Sequence, residues 1–158
     1  MENIEFGCAT HAGRVRDHNE DHYSAVPEIG LWIIADGMGG HQAGEIASDI
    51  VSRAVVDFVR QGSSLKEAIA RSHHAVIGAG EGRKNLSGMG STVVALQIDG
   101  LNYKIAWVGD SRAYMWDGGL KQITHDHSFV QGLIDAGKLR ESEYEGRKFY
   151  IRCFHRSP

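Results

Sequence analysis

Two short acidic segments carry the residue types that metal-assisted phosphoryl chemistry requires. Residues 16–21 have the sequence RDHNED, in which Arg16 precedes Asp21 by five positions. Residues 35–41 have the sequence ADGMGGH, in which Asp36 stands at the end of an apolar run. Hard divalent cations such as Mg²⁺ bind carboxylate and carbonyl oxygens and retain several waters. An arginine holds a phosphate group through two parallel hydrogen bonds. The two segments together therefore indicate a cation beside a bound phosphate.

A two-metal hydrolase uses carboxylates to hold two cations about 3.5–4 Å apart. We assign this work to Asp21, expected in a loop between strands, and to Asp36, expected at a strand end. Gly37 could add its backbone carbonyl, because a glycine has no side chain to block close approach. Arg16 would hold the phosphate. A simpler interpretation exists for each segment, since Asp-Gly after a strand is typical of a turn and an Arg/Asp/Glu cluster of a solvated loop.

Two more segments follow predicted strands and could share a rim with the first two. Residues 109–112 form a turn that carries Asp110, and residues 124–128 have the sequence THDHS. Loops at strand ends commonly carry catalytic groups on a rigid scaffold. Asp110 is either a member of the site or a turn aspartate that caps its own backbone. The His-Asp-His run has no partner pair with matching spacing, so we assign it no metal.

The surrounding elements predict an α+β fold. Apolar residues recur every four positions over 43–60, which predicts a helix, and Ser64 with Glu67 forms a capping box for a second helix from Leu65. Short apolar and partly β-branched runs predict strands, and the short turns between the later runs favour antiparallel pairing. The predicted strands cover residues 4–10, 31–35, 91–98, 103–108, 112–116 and 120–124. A polar helical pattern begins near Asp126.

Composition and charge exclude several classes of function. The chain has 158 residues, 42% of them hydrophobic, and a net charge of −3. Residues 1–146 hold 13 basic and 20 acidic residues, whereas residues 147–158 hold four basic residues and no acid. An acidic body disfavours nucleic acid as a partner. No apolar stretch approaches the roughly 18 residues of a membrane span, and the N-terminus lacks a secretory signal. We therefore expect a cytoplasmic protein whose Cys8 and Cys153 are free thiols.

Five motifs, taken in order, resemble the protein phosphatase 2C family, also called the metal-dependent PPM family, in its bacterial form. The resemblance covers roughly residues 5–148. Any one motif is weak, but chance matches in the correct order become rare when five are multiplied together. The motifs are R-x-x-x-E-D at 16–21, A-D-G-M-G-G-H at 35–41, G-S-T at 90–92, V-G-D-S-R at 108–112 and T-x-D-H-S at 124–128.

The resemblance implies a fold and an activity. The fold would be a central antiparallel β-sandwich flanked by helix pairs, in α/β/β/α layers. The activity would be hydrolysis of phosphoserine and phosphothreonine in proteins by a metal-activated water. Mn²⁺ or Mg²⁺ would serve as the cofactor, with two or more ions in the intact family. The partners would be phosphoprotein substrates, and the enzyme would oppose a serine/threonine kinase in signalling.

The resemblance also implies roles for individual residues. Asp21, Asp36 and the Gly37 carbonyl match metal ligands, and Asp110 matches a residue associated with a further metal site. Arg16 matches the phosphate-binding arginine. His41 is a candidate acid or hydrogen-bonding group. The residues after Ser128 are similar to a flap beside the active site.

The chain departs from the family pattern toward its C-terminus. The later Asp-Gly and Asp-Asn segments of the family, whose aspartates complete the two-metal site, have no counterpart here. We therefore expect residues 1–148 to form an incomplete phosphatase domain with its C-terminal part missing, and residues 149–158 to form a divergent basic and aromatic tail. Two hypotheses follow: a metal-dependent phosphatase, or a catalytically impaired, truncated remnant that acts at most as a phosphoprotein-binding module.

Overall fold

The computed structural model of the chain describes residues 4–15, 17–39 and 42–140. Contacts divide the chain into two compact units, Met1–Ser111 and Arg112–Pro158. In the first unit the elements are β1 (Asp21–Val26), β2 (Leu31–Met38), α1 (Ala43–Arg60), α2 (Leu65–Gly80), β3 (Gly90–Ser91), β4 (Val93–Asp99) and β5 (Asn102–Val108). In the second they are β6 (Tyr114–Trp116), β7 (Leu120–Gln122) and α3 (Phe129–Asp135).

The first unit is built on an antiparallel sheet. Its strands run in the order β1-β2-β4-β5, and the short β3 pairs with the last residues of β2. The register places Asp21 opposite Asp36 and Val26 opposite Leu31. The β4–β5 hairpin closes through two residues between Asp99 and Asn102. The first of them, Gly100, has a φ of +58°, which a glycine adopts without steric cost.

The helix pair and one face of this sheet form the hydrophobic core. Burial alternates along β2, because successive side chains of a strand point to opposite faces. α1 turns one side toward the sheet and α2, and α2 buries Leu65, Ile69, Ser72 and Val76 on a single face. The core residues include Leu31, Ile33, Ala35, Ala47, Val51, Val55, Ala68, Val93 and Ala95.

Both predicted helices of the first unit are confirmed, and so is the capping box. The Ser64 hydroxyl accepts a hydrogen bond from the Glu67 amide, and the Glu67 carboxylate accepts one from the Ser64 amide. These hydrogen bonds to Ser64 hold the pKa of the Glu67 carboxyl below its usual range. Within the described residues, no helix combines the length and the apolar character that crossing a membrane requires.

The strand predicted over residues 4–10 is wrong, and β1 was not predicted. Residues 4–12 adopt no regular structure. Phe6 instead packs edge-on against the ring of Trp32, with 6.0 Å between centroids. β1 lacks an apolar alternation because two of its helix-facing residues are polar and have polar partners on α1. The Ser24 hydroxyl lies 2.7 Å from the Ser52 hydroxyl, and His22 lies 3.3 Å from Asp49.

The predicted α+β class with antiparallel sheets is confirmed. The second unit contains a two-stranded antiparallel sheet of β6 and β7, followed by the short helix α3. Both strands are shorter than the sequence predicted, each spanning three residues. The Ser128 hydroxyl caps α3 by accepting a hydrogen bond from the Gln131 amide.

Candidate functional site

Asp21 and Asp36 lie directly opposite each other on adjacent antiparallel strands. Opposed residues point to the same face of a sheet, and their Cβ atoms are about 4.5–5.5 Å apart. Both residues are exposed. The structure therefore brings the two predicted carboxylates together. It differs from the prediction in detail, because Asp21 opens β1 and Asp36 lies within β2, two residues before its end.

The backbone carbonyl of Glu20 fixes the start of β1. It accepts a hydrogen bond from the Gly37 amide at 3.0 Å and a second from the Ser48 hydroxyl of α1 at 2.6 Å. The segment before Asp21 is thus bound to β2 and to the first turns of α1 at once. This double attachment sets the register in which the two aspartates meet.

Gly37 is buried where β2 passes the first turn of α1. A Cβ atom at this position would stand 1.9 Å from the carbonyl oxygen of Gly44 and 2.8 Å from that of Glu20. The strand and the helix therefore approach at backbone distance, which only glycine allows. We predicted Gly37 as an accessible carbonyl, and the structure adds this second reason for a glycine beside Asp36.

Thr92 links the backbone of Asp36 to the turn that carries Asp110. The Thr92 amide donates to the Asp36 carbonyl at 2.8 Å, and the Asp36 amide donates to the Thr92 hydroxyl at 3.0 Å. The same hydroxyl lies 2.7 Å from the Ser111 hydroxyl. Asp110, the residue before Ser111, is exposed on a turn whose Gly109 has a φ of +104°. Asp21, Asp36 and Gly37 thus lie on the paired strands β1 and β2, and Thr92 connects the Asp36 backbone to the residue that follows Asp110.

Glu20 is a third carboxylate at this site, to which we assigned no role from the sequence. A Cβ atom on Gly44 would lie 2.8 Å from Glu20 Oε2, so the carboxylate rests against the first turn of α1. Its position directly before Asp21 in the sequence was the available signal. Even so, in residues 4–15, 17–39 and 42–140 no three His, Cys, Asp or Glu side chains are grouped to hold a metal ion.

The donor chemistry fits a hard divalent cation. Mg²⁺ is usually held by one or two carboxylates while waters and substrate phosphates supply the other ligands, so a facing pair of carboxylates meets the requirement. Two anionic groups at this separation also repel each other, which a bound cation relieves. Arg16 and His41, our predicted phosphate-binding and acid groups, lie outside the described residues.

In the second unit, the residues of the THDHS segment form ion pairs with their neighbours. Arg112 donates to both oxygens of Asp126, at 2.9 Å from Nε and 2.7 Å from Nη2, and this hydrogen bonding raises the pKa of the guanidinium. His125 Nε2 lies 2.8 Å from Asp135 Oδ2. Hydrogen bonds from Gln131 and then His125 lower the pKa of the Asp135 carboxyl.

Cys8 is an exposed free thiol, as predicted, and Cys153 lies outside the described residues. Tyr23 follows Asp21 by two residues and therefore points to the same face of the sheet. A hydrogen bond with the Cys8 thiol raises the pKa of the Tyr23 hydroxyl.

Comparison with known proteins gives a consistent result. The profile of the protein phosphatase 2C family matches residues 9–135. The chain is 37% identical over 147 residues to the serine/threonine protein phosphatase PstP of Mycobacterium tuberculosis, which covers 89% of this chain and 28% of that protein. It is 33% identical over 148 residues to the serine/threonine phosphatase stp of Listeria welshimeri, covering 85% of this chain and 59% of the relative.

The solved structures agree with the sequence comparisons. The crystal structure of the Mycobacterium tuberculosis phosphatase PstP/Ppp superposes with a TM-score of 0.79 at 36% identity, covering 88% of this chain and 61% of that one. The catalytic domain of PstP in complex with two manganese ions superposes with a TM-score of 0.75 at 36% identity, covering 85% and 61%. The chain thus spans less than two thirds of the relatives that it matches.

Proposed function

Because the chain belongs to the protein phosphatase 2C family, we propose that it acts as a metal-dependent protein serine/threonine phosphatase. The observation that carries this proposal is the register of β1 and β2, which sets Asp21 directly opposite Asp36 on one face of the sheet. The proposed substrates are phosphoserine and phosphothreonine in cytoplasmic proteins. The proposed physiological role is to reverse the signals of a serine/threonine kinase.

The proposed cofactor is Mn²⁺ or Mg²⁺, and a structure of the related PstP catalytic domain contains two manganese ions. Asp21, Asp36 and the backbone carbonyl of Gly37 would hold the metal, and Asp110 would serve a further metal position. Such ions lower the pKa of a coordinated water and neutralise charge on phosphoryl oxygens. The fit rests on the hard oxygen donors of the facing carboxylates.

The remaining work falls to the chain's own residues. Arg16 would bind two phosphoryl oxygens through its planar guanidinium and orient the phosphate against the carboxylate pair. His41 would hold or deliver a proton near the leaving oxygen. Asp21 and Asp36 would supply carboxylate oxygens from one face of the sheet, while Ser48 and Gly37 fix the backbone that presents them.

A second candidate function is a phosphoprotein-binding module with impaired turnover. One observation favours it. Within the described part of the chain, no three His, Cys, Asp or Glu side chains are grouped around one point. In this version Arg16 still binds phosphate, but the metal site is too weak to support hydrolysis.

Hydrolysis of a phosphothreonine peptide by the 158-residue chain separates the two candidates. We expect phosphate release with Mn²⁺ that is abolished by EDTA. Asp36→Asn should reduce this release at least 100-fold, because it removes a charged ligand, about the loss seen when a group stabilising transition-state charge is deleted. Circular dichroism should show an unchanged fold, since Asp36 is exposed.

Asp99→Asn is the matched control. Asp99 is also an exposed aspartate, but it lies at the end of β4 that is remote from Thr92 and Asp36. It should retain wild-type turnover. Equal turnover of the Asp36→Asn variant at saturating Mn²⁺ would refute the metal role of Asp36. A folded wild-type chain that binds the phosphopeptide without releasing phosphate would favour the binding module.

A further inference from the structure

The pairing of β2 with its neighbour is interrupted at a single residue, Thr92. β3 ends at Ser91 and β4 begins at Val93. In a regular antiparallel ladder every second opposed pair exchanges two backbone hydrogen bonds, and the Thr92 amide bond to the Asp36 carbonyl places these two residues at such a position. Here the Thr92 amide still donates to the Asp36 carbonyl, but the Asp36 amide donates to the Thr92 side-chain hydroxyl at 3.0 Å. The hydroxyl of Thr92 therefore accepts the hydrogen bond of the Asp36 amide that the Thr92 carbonyl would accept in a regular ladder.

The same side chain contacts the turn that carries Asp110. The Thr92 hydroxyl lies 2.7 Å from the Ser111 hydroxyl. On its other branch, the Thr92 methyl carbon lies 2.6 Å from where a Cβ atom of Gly109 would be. The hydroxyl and methyl of Thr92 therefore contact the residues on either side of Asp110. Thr92 and its contact with Ser111 are partly buried.

We propose that Thr92 is a positioning residue, which holds the Asp36 backbone and the Asp110 turn in fixed relation, so that the metal position at Asp36 and the further position at Asp110 keep a constant separation. This inference rests on the proposed function. The physical reason is that a ligand carboxylate binds tightly only when its backbone is already placed. Partners behind the ligands typically contribute 10–100-fold in metal affinity.

Two nearly isosteric variants separate the hydroxyl from the methyl. Thr92→Val keeps the contact with Gly109 but removes both hydrogen bonds of the hydroxyl. Thr92→Ser keeps the hydroxyl but removes the methyl. Mn²⁺ binding by calorimetry should weaken about tenfold in Thr92→Val, at the low end of the range for such partners. Thr92→Ser should bind Mn²⁺ with an affinity within about threefold of wild type, because it keeps the hydroxyl that bonds Asp36 and Ser111.

Amide hydrogen exchange gives a readout independent of activity. In Thr92→Val, exchange should accelerate at Asp36 and also at residues 109–111, because both lose the shared partner. Ser111→Ala cuts only the link to the turn, so it should accelerate exchange at residues 109–111 and weaken Mn²⁺ binding by a smaller factor. This variant also keeps the test open if Thr92→Val fails to fold.

The outcomes distinguish this inference from the proposed function. If the wild-type chain binds Mn²⁺ and the Thr92→Val variant binds it equally well, the positioning role is overturned and the phosphatase proposal stands. If the folded wild-type chain does not bind Mn²⁺, both proposals fall. Weaker Mn²⁺ binding in Thr92→Val, recovered in Thr92→Ser and accompanied by faster exchange in both segments, supports the inference.

Discussion

The two faces of the five-stranded sheet are made by alternate residues of the same strands, yet they differ in almost every property. On the helix-facing side, Leu31, Ile33 and Ala35 are at most 1% exposed. On the other side, Ile34 is 55% exposed and Tyr23 is 41% exposed, and the carboxylates of Asp21 and Asp36 lie at the end of that face. A shift of register by one residue would exchange the two sets.

The difference shows how this sheet separates stability from chemistry. An unpaired carboxylate on the buried side would lose its hydration at a high cost in folding free energy. On the exposed side a carboxylate stays in contact with water and avoids that cost. The helix-facing residues can therefore be selected for packing, while Asp36, between buried Ala35 and buried Gly37, stays exposed.

The largest effect on stability should come from adding a methyl group where the backbones of β2 and α1 are in contact. Gly37→Ala would place a methyl group 1.9 Å from the Gly44 carbonyl oxygen, so the strand and helix must separate or the chain must fail to fold. Gly78→Ala is the matched control, because that helical glycine has open space around it. It should stabilise the protein by about 0.5–1 kcal/mol. Similar urea midpoints for the two variants would contradict this account.

Isoleucine-to-alanine substitutions, one on each face of the sheet, test whether only the helix-facing side contributes to stability. Ile33→Ala should lower the free energy of unfolding by about 2–5 kcal/mol, the usual cost of a cavity in a packed core. Ile34→Ala, at the next position, should lower it by less than about 1 kcal/mol because the side chain is largely exposed. Urea titration measures both values. A comparable loss in Ile34→Ala would mean that the exposed face also carries stability.

A smaller effect than that of Ile33→Ala is expected at the polar contact between β1 and α1. Ser24→Ala removes the 2.7 Å contact with Ser52, which is fully buried, and should cost about 1–3 kcal/mol through the unpaired hydroxyl. The double variant with Ser52→Ala should recover part of that loss, because no hydroxyl is left unpaired. A double-mutant cycle measures the coupling, and strict additivity would show that the hydroxyls contribute independently.

The sequence alone predicted the features that depend on interactions between residues close along the chain. The four-residue period of α1 and the Ser64 capping box depend on neighbours along the chain, and both were predicted with their boundaries. Asp36 was chosen as a candidate ligand because it follows an apolar run and precedes a glycine, and its role stays a prediction. These features need no knowledge of a partner strand.

Long-range partners account for what the sequence did not reveal. β1 was missed because His22 and Ser24 disrupt its apolar alternation and are accommodated only by Asp49 and Ser52 on α1. Without β1 there is no register, so the opposition of Asp21 and Asp36 could not be derived. The bond from the Asp36 amide to the Thr92 hydroxyl spans 56 residues and leaves no local pattern.

The tip of the β4–β5 hairpin is a position for attaching a label that lies far from the candidate site. Asp99, the last strand residue before the tip at Gly100 and Leu101, lies seven residues along β4 from Thr92, a distance of about 23 Å at roughly 3.3 Å per residue. Leu101 is 97% exposed. A fluorophore, a spin label or a surface tether placed there would stand at the far end of the sheet, so distances to added Mn²⁺ could be measured without altering the residues proposed to bind it.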